Sequence, residues 1–157
     1  MCIRDSINGV PGAPEAVGPY SQATILDNQI YMSGQIGLDP TTGKIVSGGV
    51  EAEAERVMKN IIAVLGHLSV DFSHVLKTTI FLADMNDFQK VNQVYSKWMM
   101  DCRPARSTVQ VAALPLGAQI EVEVVAVLEL DGGPMVQSGT VKDLQDLQEQ
   151  YVSCKEQ

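Results

Sequence analysis

Arg106 is the residue whose type and position most directly indicate chemistry. It follows Pro104 at the start of a predicted strand, in an acidic chain with 19 Asp and Glu against 11 Lys and Arg. A buried arginine needs a partner, and its planar guanidinium suits a two-point grip on a carboxylate. The sequence allows two alternative partners for Arg106. One is Glu121 or Glu123 of a neighbouring strand, in an ion pair. The other is the carboxylate of a small bound molecule, with a glutamate holding water.

The sequence lacks the signatures of other catalytic machinery. It contains no GxSxG turn, no GxxxxGK[ST] phosphate loop and no cysteine with a histidine partner indicated by sequence. His67 and His74 stand outside any cluster of metal-ligating residues, so no zinc or iron site is expected. His67 is interpreted instead as a cap or surface residue in the last turn of a helix.

The composition is that of an ordinary globular domain. The chain has 157 residues, of which 45% are apolar and 19% charged, which is enough for one core. Its formal net charge of −8 disfavours nucleic-acid and anionic-membrane partners, because both need a basic surface. No apolar run approaches the roughly 20 residues that span a bilayer, and the N-terminus lacks the apolar segment of a secretory signal. Cys2, Cys102 and Cys154 are widely spaced, which predicts reduced thiols in a cytoplasmic protein.

Hydrophobic periodicity predicts the elements that must position these residues. A lead-in rich in Pro and Gly comes first, and Asp27–Asn28 suits a tight hairpin turn. Asp84 or Asn86 caps the second helix, which Arg103–Pro104 ends. The predicted elements are strands over 21–27 and 29–35, a helix over 50–68, a strand over 74–83 buried on both faces, a helix to about residue 100, and strands over 105–113 and 119–130.

This order predicts an α+β fold with two helices on one face of a mixed sheet. The other face keeps aliphatic residues, so an oligomer is expected. The predicted organisation is an irregular lead-in over 1–13, one domain over 14–130 and an extension over 131–157. The helical spacing of apolar residues in the extension fits an amphipathic helix docked on a neighbour, and a frayed tail fits equally well.

Five short motifs occur in order along the chain. They are Gly18-Pro-Tyr-Ser-Gln-Ala23, Tyr31-Met-Ser-Gly-Gln-Ile-Gly37, Val91-Asn92 ahead of Tyr95, Pro104-Ala-Arg-Ser107 and Ile120-Glu-Val-Glu123. Together they resemble the reactive-intermediate deaminase (Rid) family, and most closely its RidA subgroup. The resemblance extends over residues 14–130, which is most of the chain.

The resemblance implies a fold and an activity. RidA-like proteins are homotrimers with a chorismate-mutase-like fold, in which each subunit has a six-stranded sheet with two helices outside. Their three sites lie in clefts between subunits. They hydrolyse 2-imino acids and their enamine tautomers, such as 2-aminoacrylate/2-iminopropanoate and 2-iminobutanoate, to 2-keto acids and ammonia. These substrates leak from pyridoxal-phosphate-dependent dehydratases, and RidA proteins themselves use no cofactor and no metal.

The resemblance also implies roles for single residues. The arginine that grips the substrate carboxylate falls on Arg106, the acid that positions water on Glu121 and the aromatic pocket wall on Tyr20. The other substrate contacts fall on Ser33, Gly34, Asn92, Ser107 and Thr108. Many RidA members carry cysteine at the position of Thr108, so substrate preference stays open.

Two other functions compete with imine hydrolysis. A trimeric regulatory module that binds a small 2-keto acid without turnover would use the same residues. Some relatives are described as translation inhibitors or endoribonucleases. The negative charge, the absence of a basic patch with interleaved aromatics and the unpaired histidines disfavour that activity here. The expected partner is therefore a small 2-imino or 2-keto acid, with neither nucleic acid nor membrane.

Overall fold

The chain folds into a six-stranded mixed sheet with two α-helices on one face. The computed structural model describes residues 4–128. The strands are β1 (Asp5–Ile7), β2 (Ala23–Leu26), β3 (Gln29–Ile36), β4 (Val75–Leu82), β5 (Ala105–Gln110) and β6 (Ile120–Val127), and the helices are α1 (Gly49–His67) and α2 (Phe88–Met99). Across the sheet the order is β1-β2-β3-β6-β4-β5. All neighbours are antiparallel except β4 and β5, which run parallel. The predicted α+β class is confirmed.

Every predicted helix and strand is present, and four of the five predicted strands are shorter than expected. The Asp27–Asn28 hairpin turn is confirmed, and Asp27 has the left-handed φ of 55° that such a turn requires. The lead-in contributes one short strand, which pairs with β2. The side chain of Asp84 accepts a hydrogen bond from the backbone of Asn86 in a short 3₁₀ turn, and α2 begins only after that turn. His67 is the exposed last residue of α1, as expected. The predictions for residues 129–157, Cys2 and Cys154 lie outside the described residues.

The prediction that the strand over 74–83 is buried on both faces is wrong for the single chain. The strand is central by pairing, since β6 and β5 flank β4. Thr78, Ile80 and Leu82 are buried beneath the helices, whereas Leu76 is 51% exposed and Lys77 is exposed. The run of β-branched and apolar residues therefore indicates that the strand is central in the sheet. It does not indicate that both faces are covered, because the second face of this sheet carries no helix.

The core lies between the helices and the sheet. Apolar residues of α1 recur with the helical period and are fully buried, among them Val57, Ile61 and Leu65. They pack in one cluster with alternate residues of β6, such as Val122 and Val124. This packing fixes which face of every strand points toward the helices.

Asn60 is a fully buried polar residue that ties α1 to the chain leaving β3. Its side-chain nitrogen donates to the carbonyls of Ile36 at 3.2 Å and Leu38 at 3.0 Å, and its oxygen accepts from Arg56 Nε at 2.8 Å. Buried carbonyls need such donors. Asn60 therefore sets the path of the chain just beyond Gly34.

Replacement of Asn60 tests this tie. Asn60→Ala should lower the free energy of unfolding by about 2–4 kcal/mol, because the buried Leu38 carbonyl loses the Asn60 donor, the Ile36 carbonyl keeps only the bond from the Leu38 backbone nitrogen, and a cavity remains. Urea unfolding at fixed protein concentration measures the change. Lys59→Ala, at the exposed neighbouring position, is the control and should stay within about 0.5 kcal/mol of the parent. Equal effects of the two changes would contradict the role of the amide.

Candidate functional site

Arg106 lies on the edge strand β5 with its side chain on the helix side of the sheet. It pairs with Thr78 of β4, whose side chain is buried beneath α2, and paired residues of adjacent strands point to the same face. Arg106 Nη1 donates to Asn92 Oδ1 at 2.9 Å. The guanidinium carbon lies 4.9 Å from the ring centroid of Tyr95 and 5.8 Å from that of Phe88. The side chain is thus held by α2, although it is exposed rather than buried in the single chain.

An ion pair between Arg106 and Glu121 or Glu123 is not formed. β4 lies between β5 and β6, and within residues 4–128 no carboxylate forms an ion pair with the guanidinium. Glu121 pairs with Phe81, which is three positions along β4 from Thr78, so the two glutamates lie on the helix-free face. The sequence alternative of a structural ion pair is therefore wrong, because it assumed that the two strands were neighbours.

Glu121 lies against Gly34 on the helix-free face. The β3–β6 ladder shifts register across Ser33 and Gly34. A Cβ atom on Gly34 would lie 2.7 Å from Cδ and 2.9 Å from Cγ of Glu121, which is closer than such atoms approach, so a side chain at position 34 would push the carboxylate out of its present position. Burial raises the pKa of Glu121 above its ordinary value, and the charge of Glu123 raises it further.

The loop before β2 packs against this register shift. Ser33 Oγ donates to the carbonyl of Ser21 at 2.6 Å, and the Ser33 backbone nitrogen donates to the carbonyl of Gln22 at 3.0 Å. Tyr20 directly precedes these residues and is 50% exposed. It has no hydrogen bond to Arg106 or Glu121 within the described chain.

Gln22 is a supporting residue that the sequence reasoning missed. It is buried, its side-chain nitrogen donates to the carbonyl of Pro14 at 2.6 Å, and its side-chain oxygen accepts from the backbone nitrogen of Val10 at 3.0 Å. These bonds hold the lead-in against the loop that carries Tyr20. The sequence feature that could have indicated this role is a glutamine inside the first motif, directly before a strand.

Ser107 and Thr108 point to opposite faces of β5. Ser107 pairs with Thr79 on the helix-free side. Thr108 shares the helix side with Arg106, and its hydroxyl is buried with no hydrogen-bond partner in the described part of the chain. Such an unpartnered group is rare in a folded protein.

The structure therefore brings the predicted residues together as two groups. The helix-side group is Arg106, Asn92 and Thr108. The helix-free group is Glu121, Gly34 and Ser33, beside the loop of Tyr20, with Ser107 on the same face. Within one chain the sheet separates the cation from the carboxylate.

Residues 4–128 contain neither a metal-binding cluster nor a membrane-spanning helix. No group of three or more His, Cys, Asp and Glu side chains there is arranged to hold a metal ion. Across the same range, no helix has the length and hydropathy needed to cross a membrane.

The comparisons with known proteins agree with the motifs. The chain matches the family described as endoribonuclease L-PSP over residues 11–128. It is 52% identical over 115 residues to the human 2-iminobutanoate/2-iminopropanoate deaminase, covering 73% of this chain and 84% of that protein. The crystal structure of RidA from an Antarctic Psychrobacter is similar with 39% identity and a TM-score of 0.74, over 78% of this chain and 98% of that one. The crystal structure of TdcF from E. coli with bound serine is similar with 34% identity and a TM-score of 0.75, over 80% of this chain and all of that one. The chain therefore belongs to the endoribonuclease L-PSP family.

Proposed function

We propose that this protein is a 2-imino acid deaminase. It hydrolyses 2-iminobutanoate, 2-iminopropanoate and their enamine tautomers to 2-keto acids and ammonia, and so removes reactive products leaked by pyridoxal-phosphate-dependent dehydratases. The observation that carries the proposal is the Arg106 guanidinium, which neutral groups hold and no described carboxylate neutralises. Its similarity to proteins named 2-iminobutanoate/2-iminopropanoate deaminase supports the substrate class.

The proposed site is completed between subunits of a homotrimer with the chorismate-mutase-like fold. Arg106 and Glu121 lie on opposite faces of one sheet, so a small substrate that contacts both needs a second chain. The helix-free face also exposes apolar side chains, with Tyr31 at 45% and Val109 at 43%. An apolar exposed face of this kind is typical of an interface between chains.

In the first step, Arg106 binds the substrate carboxylate. A guanidinium has five N–H donors, of which one on Nη1 is used by Asn92. The remaining donors suit a bidentate grip on the carboxylate. Holding the imino acid by this end turns its reactive carbon toward a fixed direction, which makes the attack of water an oriented event.

In the second step, Glu121 of a neighbouring chain holds the attacking water. The water oxygen bonds to the imine carbon while its proton passes to the Glu121 carboxylate. The proton then moves from Glu121 to the nitrogen, which gives a neutral adduct with one hydroxyl and one amino group. As the C–N bond breaks, the hydroxyl proton is transferred to the nitrogen and the hydroxyl oxygen becomes the keto oxygen, so that ammonia leaves with the 2-keto acid. Substrate contacts from Tyr20, Ser33, Gly34, Ser107 and Thr108 complete the proposed pocket, and the Thr108 hydroxyl still has a hydrogen bond to make.

Two competing activities have less support. A regulatory module that binds a keto acid without turnover would need the same arginine, and nothing in the geometry favours it over hydrolysis. The family description mentions a ribonuclease, but the histidines do not converge. His67 ends α1 and His74 belongs to the capping box of Asp71, away from the hydrogen bonds of Arg106. The cytoplasmic location stays a prediction.

Removal of the guanidinium is the direct test. Arg106→Ala should lower kcat/KM by roughly 100-fold or more, because the bidentate grip and the orientation it provides are both lost. The assay generates 2-aminoacrylate with a serine dehydratase and follows the release of pyruvate and ammonia. Sedimentation should show the same trimer as the parent.

Arg103→Ala is the matched control, since this arginine is exposed on the loop before β5, and it should retain full activity. Equal activity of Arg106→Ala and the parent would contradict the site. Keto-acid binding by a parent protein that does not accelerate imine hydrolysis would favour the regulatory module.

A side chain at position 34 should displace the Glu121 carboxylate. Gly34→Ala places a Cβ atom against Glu121, so kcat should fall roughly tenfold or more while the fold is retained. Gly43→Ala is the control. It lies in an exposed turn with open space around it and a left-handed φ of 66°, so it should cost only about 1 kcal/mol of stability. Normal kcat in Gly34→Ala would contradict a role for the carboxylate position.

The acid limb of the pH profile should report Glu121. A general base must be ionised, so kcat/KM should fall as the pH drops through the raised pKa of Glu121. Glu123→Gln removes a neighbouring negative charge, which lowers that pKa and moves the limb to lower pH. Glu51→Gln, on the exposed start of α1, should leave the limb in place. A limb that does not move in Glu123→Gln would assign it to another group.

A further inference from the structure

We propose that Phe88 and Tyr95 of α2, here called the aromatic shelf, are positioning residues that orient the Arg106 guanidinium for the carboxylate. This inference rests on the proposed function, and it extends that function to residues outside the substrate contacts. Arg106 does the binding, and the shelf decides where its donors point.

The shelf and Asn92 form one face of α2. Phe88, Asn92 and Tyr95 are spaced by four and three residues, which places them on the same side of a helix. The guanidinium carbon lies within about 6 Å of both ring centroids, at 4.9 Å for Tyr95 and 5.8 Å for Phe88, the range of a cation–π contact. The rings support the plane of the guanidinium, and Asn92 fixes its rotation by accepting one N–H bond.

Tyr95 is itself held in place by the strand next to Arg106. Its hydroxyl and Thr78 Oγ1 share a buried hydrogen bond of 2.9 Å. Thr78 is also the residue that pairs with Arg106 across the β4–β5 ladder. Each of the three residues therefore contacts the other two. Thr78 pairs with Arg106 through the backbone, the Tyr95 ring contacts the guanidinium, and the hydroxyl bond between Thr78 and Tyr95 holds that ring in place.

The chemistry of the shelf suits an arginine that must bind an acid. A long side chain on an edge strand loses rotamer freedom when it binds, and holding it in advance reduces that loss. A carboxylate would hold it equally well but would neutralise its charge. Burial raises the pKa of Tyr95, so the phenol stays uncharged at neutral pH, and the ring holds the cation without competing with the substrate.

The test separates the ring of Tyr95 from its hydroxyl. Tyr95→Leu removes the ring and should raise both KM for the imino acid and Kd for 2-oxobutanoate about tenfold, with kcat changed less than about threefold. Tyr95→Phe keeps the ring and should restore binding to within about threefold of the parent. Calorimetry measures Kd, and the coupled imine assay measures KM and kcat.

Trp98→Phe is the matched control for the packing of α2. Trp98 lies on the same helix, contacts Phe72 edge-on and donates to Glu55 at 2.8 Å, and it makes no contact with the guanidinium. This change should leave KM and Kd at the parent values. A purely structural role for Tyr95 would lower stability and leave the ratio of KM to kcat unchanged.

The outcomes also separate this inference from the proposed function. Parent-like Kd in folded Tyr95→Leu overturns the shelf alone. Tight keto-acid binding by the parent without turnover overturns the deaminase activity, while the Kd series still decides the shelf. If Tyr95→Leu does not fold, Phe88→Leu at a half-buried position replaces it, with an expected increase in Kd of about threefold, and an unchanged Kd there overturns the proposal. A parent protein that neither binds a 2-keto acid nor accelerates imine hydrolysis overturns both.

Discussion

The proposed chemistry depends on a guanidinium that is held in place while its positive charge is not neutralised. Arg106 is supported by an amide oxygen and two aromatic rings, and no carboxylate in residues 4–128 pairs with it. In a chain with a net charge of −8, acidic partners are abundant, so this arrangement depends on topology. Only a strand order that keeps β6 away from β5 keeps the glutamates from the guanidinium.

The same strand order distributes the chemistry over two faces. Thr78 and Phe81 lie three positions apart on β4, and each fixes the face of a different functional side chain, Arg106 for the first and Glu121 for the second. A parallel strand at the sheet edge thus presents a cation beside α2, while the register shift in β3 makes space for an acid on the opposite side. The proposed assembly brings these two surfaces of different subunits together.

The sequence predicted the helices, the strands and the hairpin turn, which depend on hydrophobic periodicity and local motifs. It did not predict the features that depend on which strands pair with each other. The helices followed from apolar spacing, such as that of Val57, Ile61 and Leu65, and the hairpin turn followed from Asp27–Asn28. The face of Arg106 could not be predicted, because alternation along a strand does not say which strand lies next to it. The exposed side of β4 was missed for a related reason, since a β-branched run looks the same whether a helix covers its second face or not. The clearance at Gly34 depends on Glu121, a residue 87 positions further along the chain.

The hydrogen bonds of Gln22 have a consequence for where the folded unit begins. Val10 and Ala13 are buried in the core, and the backbone nitrogen of Val10 donates a hydrogen bond to the side-chain oxygen of Gln22. The Arg56 side chain reaches the same stretch through the carbonyl of Gly12 at 3.4 Å. A shortened chain that starts at Pro14 would lose two core side chains, and the buried side-chain oxygen of Gln22 would lose its hydrogen-bond donor. Recombinant versions of this protein should therefore retain the stretch ahead of Pro14, even though it contains neither helix nor strand from residue 8 onward.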